Sequence, residues 1–402
     1  MGAATSSADD QVSSASIHGQ ESRRAIPSRR LNFALTAEHG ELRESVRRFM
    51  DDRSSEREVR RLMETVEGYD QSVWAQMAGQ LGLQGLIVPE EFGGSGFGYV
   101  ELMVVLEEMG RALLCAPFFS TTVLAANLLL NSADDAAKLR YLPGIASGKT
   151  IATVALTEAS GRWDAEGIAF NASSVGDAWR LSGDKFNVLD GHTADLVLVV
   201  ARTGAGVSTF AVERAAPGFT ATPLRTVDQT RKQARLGFDD TPARMIGIEG
   251  RAWPAVSKML NLAAVALAAE QVGGAQKALE MSVDHAKTRV QFNKPIGSFQ
   301  AIKHKCAEML LQVESARAAA YYAGWIAADD TAELPALASL AKAYCSEAYV
   351  HVASENIQIH GGIGFTWDHP AHMYFKRAKT SELIFGDPGY HRELLAQQIG
   401  IQ

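Results

Sequence analysis

The stretch RVQFNKPIGSFQ, residues 289–300, separates two long Ala-rich segments in which apolar residues recur at helical spacing. Its first residue, Arg289, carries a planar guanidinium that can pair with a diphosphate through two parallel hydrogen bonds. Phe292 can pack beside a nucleotide. Simpler roles also fit this spacing, since Arg289 could cap a helix end and Gln300 could be a solvated polar residue. The stretch therefore indicates either an anion site or an ordinary connection between helices.

A second stretch, QIHGGIGF, occupies residues 358–365 at the end of the last long helical segment. Gly361 and Gly362 lack side chains, so the backbone there can approach an anionic ligand closely or can simply turn the chain. Two shorter stretches lie upstream of it, PEEFGG at residues 89–94 and LPGIASG at residues 142–148.

These four stretches, in this order, resemble the acyl-CoA dehydrogenase family. Residues 289–300 match the family's R-x-x-F-x-x-x-I-x-x-x-Q segment, and residues 358–364 match its Q-x-x-G-G-x-G turn. The resemblance runs from about Leu35 to the C-terminus, and the chain is similar in particular to subunits of bacterial heteromeric acyl-CoA dehydrogenases of sterol degradation. It implies an α+β protein with an N-terminal helical domain, a middle β-barrel-like domain and a C-terminal four-helix bundle.

Residue patterns along the chain agree with this division. Residues 1–34 are Ser-rich at their start and end in a small basic cluster, and we expect a disordered tail or an over-extended start. We expect the N-terminal helical domain over residues 35–150, the middle β domain over 151–250 and the helical bundle over 251–402. Helices followed by strands and then by helices indicate segregated regions, not alternating βαβ units.

The patterns also predict individual elements. In the first region Thr36 is expected to cap a helix, residues 86–96 to form an extended piece and a loop, and Gly110 to stop a helix. Further helices are expected over residues 71–81, 99–109, 261–285, 299–329 and 334–359. Strands are expected at residues 151–156, 178–181, 196–201, 209–212 and 219–223.

The resemblance implies FAD bound at a dimer interface, with its isoalloxazine ring held by one subunit. The neighbouring subunit contacts the diphosphate and adenosine through residues that match Arg289, Phe292, Gln300, Gln358, Gly361 and Gly362 of this chain. Leu156 and Thr157 match the segment that faces the ring. The implied reaction is the α,β-dehydrogenation of an acyl-CoA thioester, in which a carboxylate removes the α-proton while the flavin accepts a hydride from the β-carbon. The electrons then usually leave through an electron-transfer flavoprotein.

The chain departs from the family's pattern on the ring side of the cofactor. The family's T-E-P-x-x-G-S-D segment aligns with residues 157–164, TEASGRWD, and puts Trp163 where a small hydroxyl residue contacts the flavin. The family's W-I-T-N strand aligns with residues 187–190, NVLD, so its aromatic shield and its threonine donor are absent. At the end of the chain, the family's Y-E-G-T aligns with residues 385–387, FGD, and Phe385 takes the place of the glutamate base.

The catalytic base is accordingly unknown. Some members place it on the first long helix of the C-terminal region, but Ala263 and Ala264 occupy that position and the next. Glu270 and Asp387 are weak candidates, and Glu382 and Glu158 are the other carboxylates nearby. Asp387 would meet the phosphate side, where a negative charge is unfavourable. Glu270 fits equally well a partly buried residue between helices.

Three hypotheses remain open on this pattern. The chain could be an active homomeric acyl-CoA dehydrogenase with a relocated base, or a non-catalytic subunit that lends its FAD-diphosphate contacts to a partner subunit. An acyl-CoA oxidase or flavin monooxygenase on the same fold is the third. We expect a homo- or hetero-oligomer with another acyl-CoA dehydrogenase subunit, because the cofactor site needs two subunits.

Composition excludes several other classes of protein. A formal net charge of −7 argues against a nucleic-acid partner, which wants a basic surface. The most apolar segments, residues 123–130 and 260–269, are far shorter than the roughly 20 residues that span a bilayer. Cys115, Cys306 and Cys345 are widely spaced, which suits neither a disulfide framework nor a zinc site. We therefore expect a cytoplasmic protein without a metal ion.

Overall fold

The computed structural model describes residues 1–2, 35–176 and 178–401. The disordered tail predicted for residues 1–34 thus lies outside the described residues, apart from the first two. Within the described part of the chain, helices precede and follow a β-rich middle region, as the resemblance implies. None of the described helices is both long enough and apolar enough to cross a membrane.

Helices build the first region. Helix α1 (Ala37–Arg53) begins at Thr36 as predicted, because the Thr36 Oγ1 accepts a hydrogen bond from the backbone N–H of His39. The elements that follow are α2 (Glu56–Glu64), α3 (Gln71–Gly79), α4 (Tyr99–Arg111), a π-helical segment (Phe119–Ala126), α5 (Asn127–Leu130) and α6 (Asp135–Ala146). The sequence pattern does not predict α2, because it is short and only three of its residues are buried.

Two local predictions in this region are wrong. Residues 86–88 continue the short helical turn of Leu83–Gly85, and Glu90–Phe92 form another, where an extended piece was expected; the predicted loop does follow at residues 93–96. Gly110 does not stop α4 but lies inside it. A Cβ atom on Gly110 would lie 2.0 Å from the backbone oxygen of Glu270. The glycine therefore serves the close crossing of α4 with the long helix that carries Glu270.

A seven-stranded sheet forms the middle region. Its strands are β1 (Ala152–Ala155), β2 (Ala172–Val175), β3 (Ala178–Leu189), β4 (Leu196–Thr203), β5 (Gly206–Glu213), β6 (Phe219–Pro223) and β7 (Gln233–Ile246). The strand order is β1-β4-β5-β7-β3-β2, with β6 also paired to β7. Only the β1–β4 pair is parallel among these described strands. Each of the five predicted runs overlaps one strand, whereas β2 and β7 are not predicted.

The sequence does not predict strand β7, because this stretch contains residues that are typical of turns. Gly237, Asp240 and Pro242 all argue against a central strand, yet β7 lies between β5 and β3. Pro242 lies opposite Arg180, next to a shift in the β3–β7 register. The extra residue of this bulge lies in β7 between Phe238 and Thr241, which accommodates Asp240, whereas Pro242 stays paired in the ladder.

The last region is helical from Trp253 onwards. Its elements are α7 (Trp253–Thr288), a hairpin of β8 (Val290–Gln291) and β9 (Lys294–Pro295), α8 (Gln300–Ala328), α9 (Leu334–His360), α10 (Ala371–Leu383) and α11 (Pro388–Gln398). Helices α7 to α10 pack against one another as the predicted bundle, and α11 packs on α9. All residues of α7 from 262 to 275 are buried, which makes it the central helix of the molecule. The three-domain division at residues 150 and 250 stays a prediction, and the changes of element type at Ala152 and Trp253 agree with it.

Candidate active site

Three aromatic side chains pack together where the base position meets the ring-facing segment. The ring of Phe385 stacks on that of Phe119, with centroids 5.7 Å apart and planes inclined by 17°. Trp163 meets Phe385 edge to face at 5.6 Å. Phe385 is only 7% exposed. Such pairs are stabilising beyond the apolar area that they bury, so the cluster is a packed unit.

Little space remains beside this aromatic cluster (Phe119, Trp163 and Phe385). A cavity of about 30 Å³ lies among Leu156, Thr157, Trp163, Leu189 and Phe385. That volume holds roughly one water molecule. Leu156 and Thr157, both predicted to face the flavin ring, are buried and line this cavity.

A buried lysine holds the turn that carries Phe385 through hydrogen bonds to its backbone. Lys342 on α9 donates from Nζ to the carbonyl oxygens of Glu382 at 3.0 Å and Gly386 at 2.9 Å. Its burial lowers the pKa of Lys342 to about 7. His391 lies 3.0 Å through Nε2 from the carbonyl oxygen of Phe385. Phe385 itself has a φ of +62°, a conformation that a bulky residue keeps only when its surroundings enforce it.

Glu270 lies on α7 in a buried ion-pair cluster. Its Oε1 accepts hydrogen bonds from Arg231 and, at 2.8 Å, from Nη1 of Arg377. Burial alone would raise the pKa of Glu270, but the two arginines hold it below its ordinary value. A carboxylate engaged by two guanidinium groups is stabilised in its ionised form and is a poor proton acceptor. This geometry supports the helix-interface alternative for Glu270.

Arg377 connects this cluster to the middle region. Its Nε donates to Asp228 Oδ2 at 3.1 Å, and its Nη2 donates to the Thr230 Oγ1 at 2.7 Å. Nearby, Asp190 is buried and accepts a hydrogen bond from Ser120 Oγ at 2.7 Å. Burial raises the pKa of Asp190 to about 6, against the effect of the arginines. The cluster is therefore a structural joint between the sheet and α10.

The other carboxylates near the base position also have structural partners. Asp387 caps α11 by accepting from the backbone N–H of Tyr390 at 2.8 Å. Glu158 accepts from Nζ of the buried Lys185 at 2.7 Å and from the backbone N–H of Phe170. Glu382 pairs with Lys379. Each weak candidate for the base is thus engaged in holding the fold.

The residues predicted to contact a diphosphate lie on an open surface. Arg289 follows the last turn of α7, is exposed, and donates its backbone N–H to the His285 carbonyl at 2.8 Å. Phe292 is 85% exposed at the tip of the β8–β9 hairpin. Phe292 and Asn293 have φ values of +52° and +62°, which is the geometry of a tight two-residue hairpin turn. A phenylalanine in that position is strained, so the hairpin presents its ring outward at an energetic cost.

The second part of this surface comes from α9 and the turn after it. Gln358, Gly361 and Gly362 are exposed, as is Gln300 at the start of α8. Gly361 has a φ of +67°, which favours glycine, and a Cβ atom on Gly361 or Gly362 would meet nothing within 4 Å. These glycines therefore serve the turn and the open face above it, not close packing inside this chain.

Three profile models cover almost the whole chain: the N-terminal, middle and C-terminal domains of acyl-CoA dehydrogenases match residues 36–149, 153–241 and 250–400. The chain belongs to the acyl-CoA dehydrogenase family. FAD is its cofactor, and its function lies in the flavin-dependent dehydrogenation of acyl-CoA thioesters.

Individual members of the family resemble this acyl-CoA dehydrogenase over most of its length. Acyl-CoA dehydrogenase IpdE2 of Mycobacterium tuberculosis is 34% identical over 355 residues, which cover 88% of this chain and 94% of the relative. The structure of the ChsE4-ChsE5 complex from Mycobacterium tuberculosis has a TM-score of 0.84 and 28% identity, covering 92% of this chain and 100% of the other. A variant of the Tcur3481-Tcur3483 steroid ACAD has a TM-score of 0.82 and 32% identity, covering 90% and 98%.

The two sides of this acyl-CoA dehydrogenase fit FAD unequally. The open surface of Arg289, Phe292 and the Gly361 turn has the donor chemistry and the backbone access that a diphosphate needs. The aromatic cluster leaves a space of about 30 Å³, which does not fit a three-ring isoalloxazine. The residues therefore fit the diphosphate of the cofactor and do not fit its ring in this conformation.

The sequence does not predict a group of three histidines that lies beside the surface of Arg289, Phe292 and the Gly361 turn. The rings of His285 and His360 lie 4.2 Å apart, and those of His360 and His369 lie 4.1 Å apart. No group of three or more His, Cys, Asp or Glu residues among the described ones is arranged to hold a metal ion. The sequence does contain a signal for two of these histidines, because His285 precedes Arg289 by one helical turn and His360 directly precedes Gly361.

Proposed function

We propose that this chain is the non-catalytic subunit of a heteromeric acyl-CoA dehydrogenase. It lends Arg289, Phe292 and the Gly361–Gly362 turn to the diphosphate and adenosine of an FAD whose ring is held by a partner subunit. One observation carries the proposal: Trp163 and Phe385 fill the ring-facing side with packed aromatic side chains, while the diphosphate residues stay exposed.

The homomeric alternative is disfavoured by the carboxylates. A relocated base needs an acidic group that is free to accept a proton at the substrate. Glu270 is paired with two arginines, Glu158 with Lys185, and Asp387 caps a helix. Releasing any of them would leave a buried charge or a helix end without its partner, which is costly.

Names of similar structures support a two-subunit assembly. One of them is the ChsE4-ChsE5 complex, and another is a variant of the Tcur3481-Tcur3483 steroid ACAD. We take the substrate class to be an acyl-CoA thioester with a sterol-derived or fatty acyl group. The electron acceptor we propose is an electron-transfer flavoprotein. We also propose a cytoplasmic location, which the three free cysteines support.

The proposed role assigns a task to each residue of the diphosphate surface. FAD, when bound, supplies the hydride acceptor of the dehydrogenation. The Arg289 guanidinium would neutralise the diphosphate and orient it through two parallel hydrogen bonds. The Gly361–Gly362 backbone would approach the phosphate oxygens, which a side chain would keep away. Phe292 would cover the nucleotide with an exposed aromatic face, and Gln300 and Gln358 would supply polar contacts beside it.

The test first identifies an acyl-CoA dehydrogenase subunit encoded by a neighbouring gene, and then compares the chain alone with the chain co-expressed with that subunit. FAD per chain is measured by absorbance, and acyl-CoA-dependent dye reduction is measured on the same samples. We expect almost no flavin and no turnover from the chain alone, and one FAD per pair of subunits with turnover from the assembly. One FAD per chain together with turnover in the homomer would overturn the proposal.

A further inference from the structure

The histidine column (His285, His360 and His369) joins three separate elements. His285 lies in the last turn of α7, His360 is the last residue of α9, and His369 lies in the loop before α10. Ring centroids are 4.2 Å apart for the first pair and 4.1 Å for the second, with planes inclined by 32° and 40°. The column therefore ties the ends of α7 and α9 to each other and to the start of α10.

The two helix ends that the column joins are those that carry the diphosphate residues. The backbone N–H of Arg289 donates to the carbonyl oxygen of His285 at 2.8 Å. His360 is followed directly by Gly361, whose φ of +67° redirects the chain. A change in the spacing of the two helix ends that carry His285 and His360 would therefore change the spacing of Arg289 and the glycine turn.

Hydrogen bonds fix the protonation of two of the three rings. The Nδ1 of His360 lies 2.8 Å from the carbonyl oxygen of Asn356, and since a carbonyl only accepts, this nitrogen carries the proton. The Nδ1 of His369 accepts the backbone N–H of Ala371 at 3.2 Å, so it carries none. Ala371 is the first residue of α10, and its N–H has no partner within the helix. Protonation of His369 at Nδ1 would break this bond.

The charges around the column also oppose its protonation. Arg289 faces His285, Glu56 and Arg60 on α2 face His369 and His372, and Lys376 on α10 faces His372. His372 lies against Trp367, outside the stack, with ring centroids 4.6 Å apart. Three cations and one carboxylate thus surround the column and His372. Burial is the main cause that lowers the pKa of all three column rings, that of His369 to about 4. The ring of His360 lowers the pKa values of His285 and His369 further, whereas the hydrogen bond to the Asn356 carbonyl opposes the shift at His360 itself.

We infer that the histidine column is a positioning device that sets the spacing of Arg289 and the Gly361–Gly362 turn for the FAD diphosphate, and that it does so only while its imidazoles are neutral. The inference rests on the proposed diphosphate role of this surface. Two adjacent imidazolium ions about 4 Å apart repel each other, and the stacked arrangement would open. Because the folded chain binds these protons less readily than the unfolded chain, the column contributes its full stability above about pH 6.5 and loses it as the pH falls from there through the folded pKa of His369, about 4.

The experiment measures FAD affinity of the assembled holoenzyme between pH 4 and pH 8, by the fluorescence of released FAD. Wild type is compared with His360→Ala, which removes the middle ring, and with His360→Phe, which keeps a ring that cannot be protonated. His351→Phe is the matched control, because His351 is exposed on the same helix. Circular dichroism and the subunit ratio verify that each variant folds and assembles.

We expect His360→Ala to weaken FAD binding roughly tenfold at pH 7.5, since a pre-organised site loses its spacing. His360→Phe should bind as wild type at pH 7.5 and lose much less affinity than wild type between pH 6.5 and pH 4. Wild-type affinity in a folded, assembled His360→Ala, or an unchanged pH profile in His360→Phe, would overturn the inference. Arg289→Ala separates the two ideas. If Arg289→Ala leaves FAD binding unchanged, the diphosphate role of this surface is wrong. If Arg289→Ala weakens FAD binding but His360→Ala does not, only the positioning role of the column is wrong.

Discussion

Trp163 and Phe385 meet edge to face with their ring centroids 5.6 Å apart. Aligned by sequence, they are two separate departures from the family, one at a flavin contact and one at the catalytic base. In the structure they are a single packing unit with Phe119. Replacing only Trp163 by a small hydroxyl residue, or only Phe385 by glutamate, would therefore leave the other aromatic side chain in place. The new polar side chain would then lie against an aromatic ring and not against a flavin. A subunit that has lost its ring site would be expected to accumulate such mutually supporting changes.

The first prediction concerns Arg289. Arg289→Ala should weaken FAD retention in the flavin-containing assembly more than Arg289→Lys, because only a guanidinium matches a diphosphate through two parallel hydrogen bonds. Loss of a charged hydrogen-bonding partner costs roughly 1.5–3 kcal/mol, or about ten- to a hundredfold in affinity. FAD content after gel filtration at a fixed dilution checks it. Equal flavin content in wild type and Arg289→Ala would exclude the assigned role.

Gly110 gives a prediction about stability. Gly110→Ala should lower the free energy of unfolding by roughly 1–3 kcal/mol or more, because its Cβ atom would lie 2.0 Å from the backbone oxygen of Glu270 on the central helix. Gly40 in α1 is the matched control, since a Cβ atom there meets nothing within 4 Å. Gly40→Ala should be neutral or stabilising by up to about 1 kcal/mol. Urea unfolding of both variants is the measurement, and a fully stable Gly110→Ala would contradict the close helix crossing.

These two residues show what the sequence could predict and where it could not. Arg289 lies in a motif whose chemistry is local, so its exposed position at the end of α7 follows from the sequence. The sequence predicts that Gly110 stops a helix, because the neighbouring residues do not distinguish a glycine that ends a helix from one that allows two helices to pack closely. The same limit applies to β7, where a shift in its register with β3 accommodates a turn-type residue. The packing of Trp163 on Phe385 likewise depends on residues far apart in sequence.

Asp190 provides a pH-dependent prediction. Its folded pKa of about 6 lies above the ordinary value of 3.8, so the folded chain binds this proton more readily than the unfolded chain. Stability therefore falls as the pH rises from about 4 to about 6, and the cost is complete above that range. Asp190→Asn cannot ionise and can still accept from Ser120. It should raise the free energy of unfolding on the order of 1–3 kcal/mol at pH 8 and much less at pH 4.

The control for this variant must share its backbone conformation. Asp190 has a φ of +51° and Asp240 a φ of +47°, and asparagine tolerates such values better than most residues. Asp240 is exposed, and its ion pair with Arg180 at 3.7 Å is screened by solvent, so Asp240→Asn should change stability by less than about 1 kcal/mol at either pH. Chemical denaturation at pH 4 and pH 8 gives the four comparisons. A gain for Asp190→Asn that does not depend on pH would assign its effect to the backbone and not to the buried charge.

The last prediction is that Phe385→Glu does not create dehydrogenase activity in the chain alone. The substitution restores a carboxylate at the family's base position, and general-base catalysis contributes roughly 10²–10⁴-fold when base, substrate and acceptor are held in register. Here the new carboxylate would lie between Phe119 and Trp163, where apolar burial raises its pKa. Phe385→Leu keeps the site apolar and is the control for lost aromatic packing. Acyl-CoA-dependent dye reduction and FAD content of both purified variants, without any partner subunit, give the answer. We expect neither flavin nor turnover in either, because the space beside the aromatic cluster does not accommodate the ring. Turnover of Phe385→Glu well above wild type would mean that this chain still holds a flavin ring and that the half-site assignment is wrong.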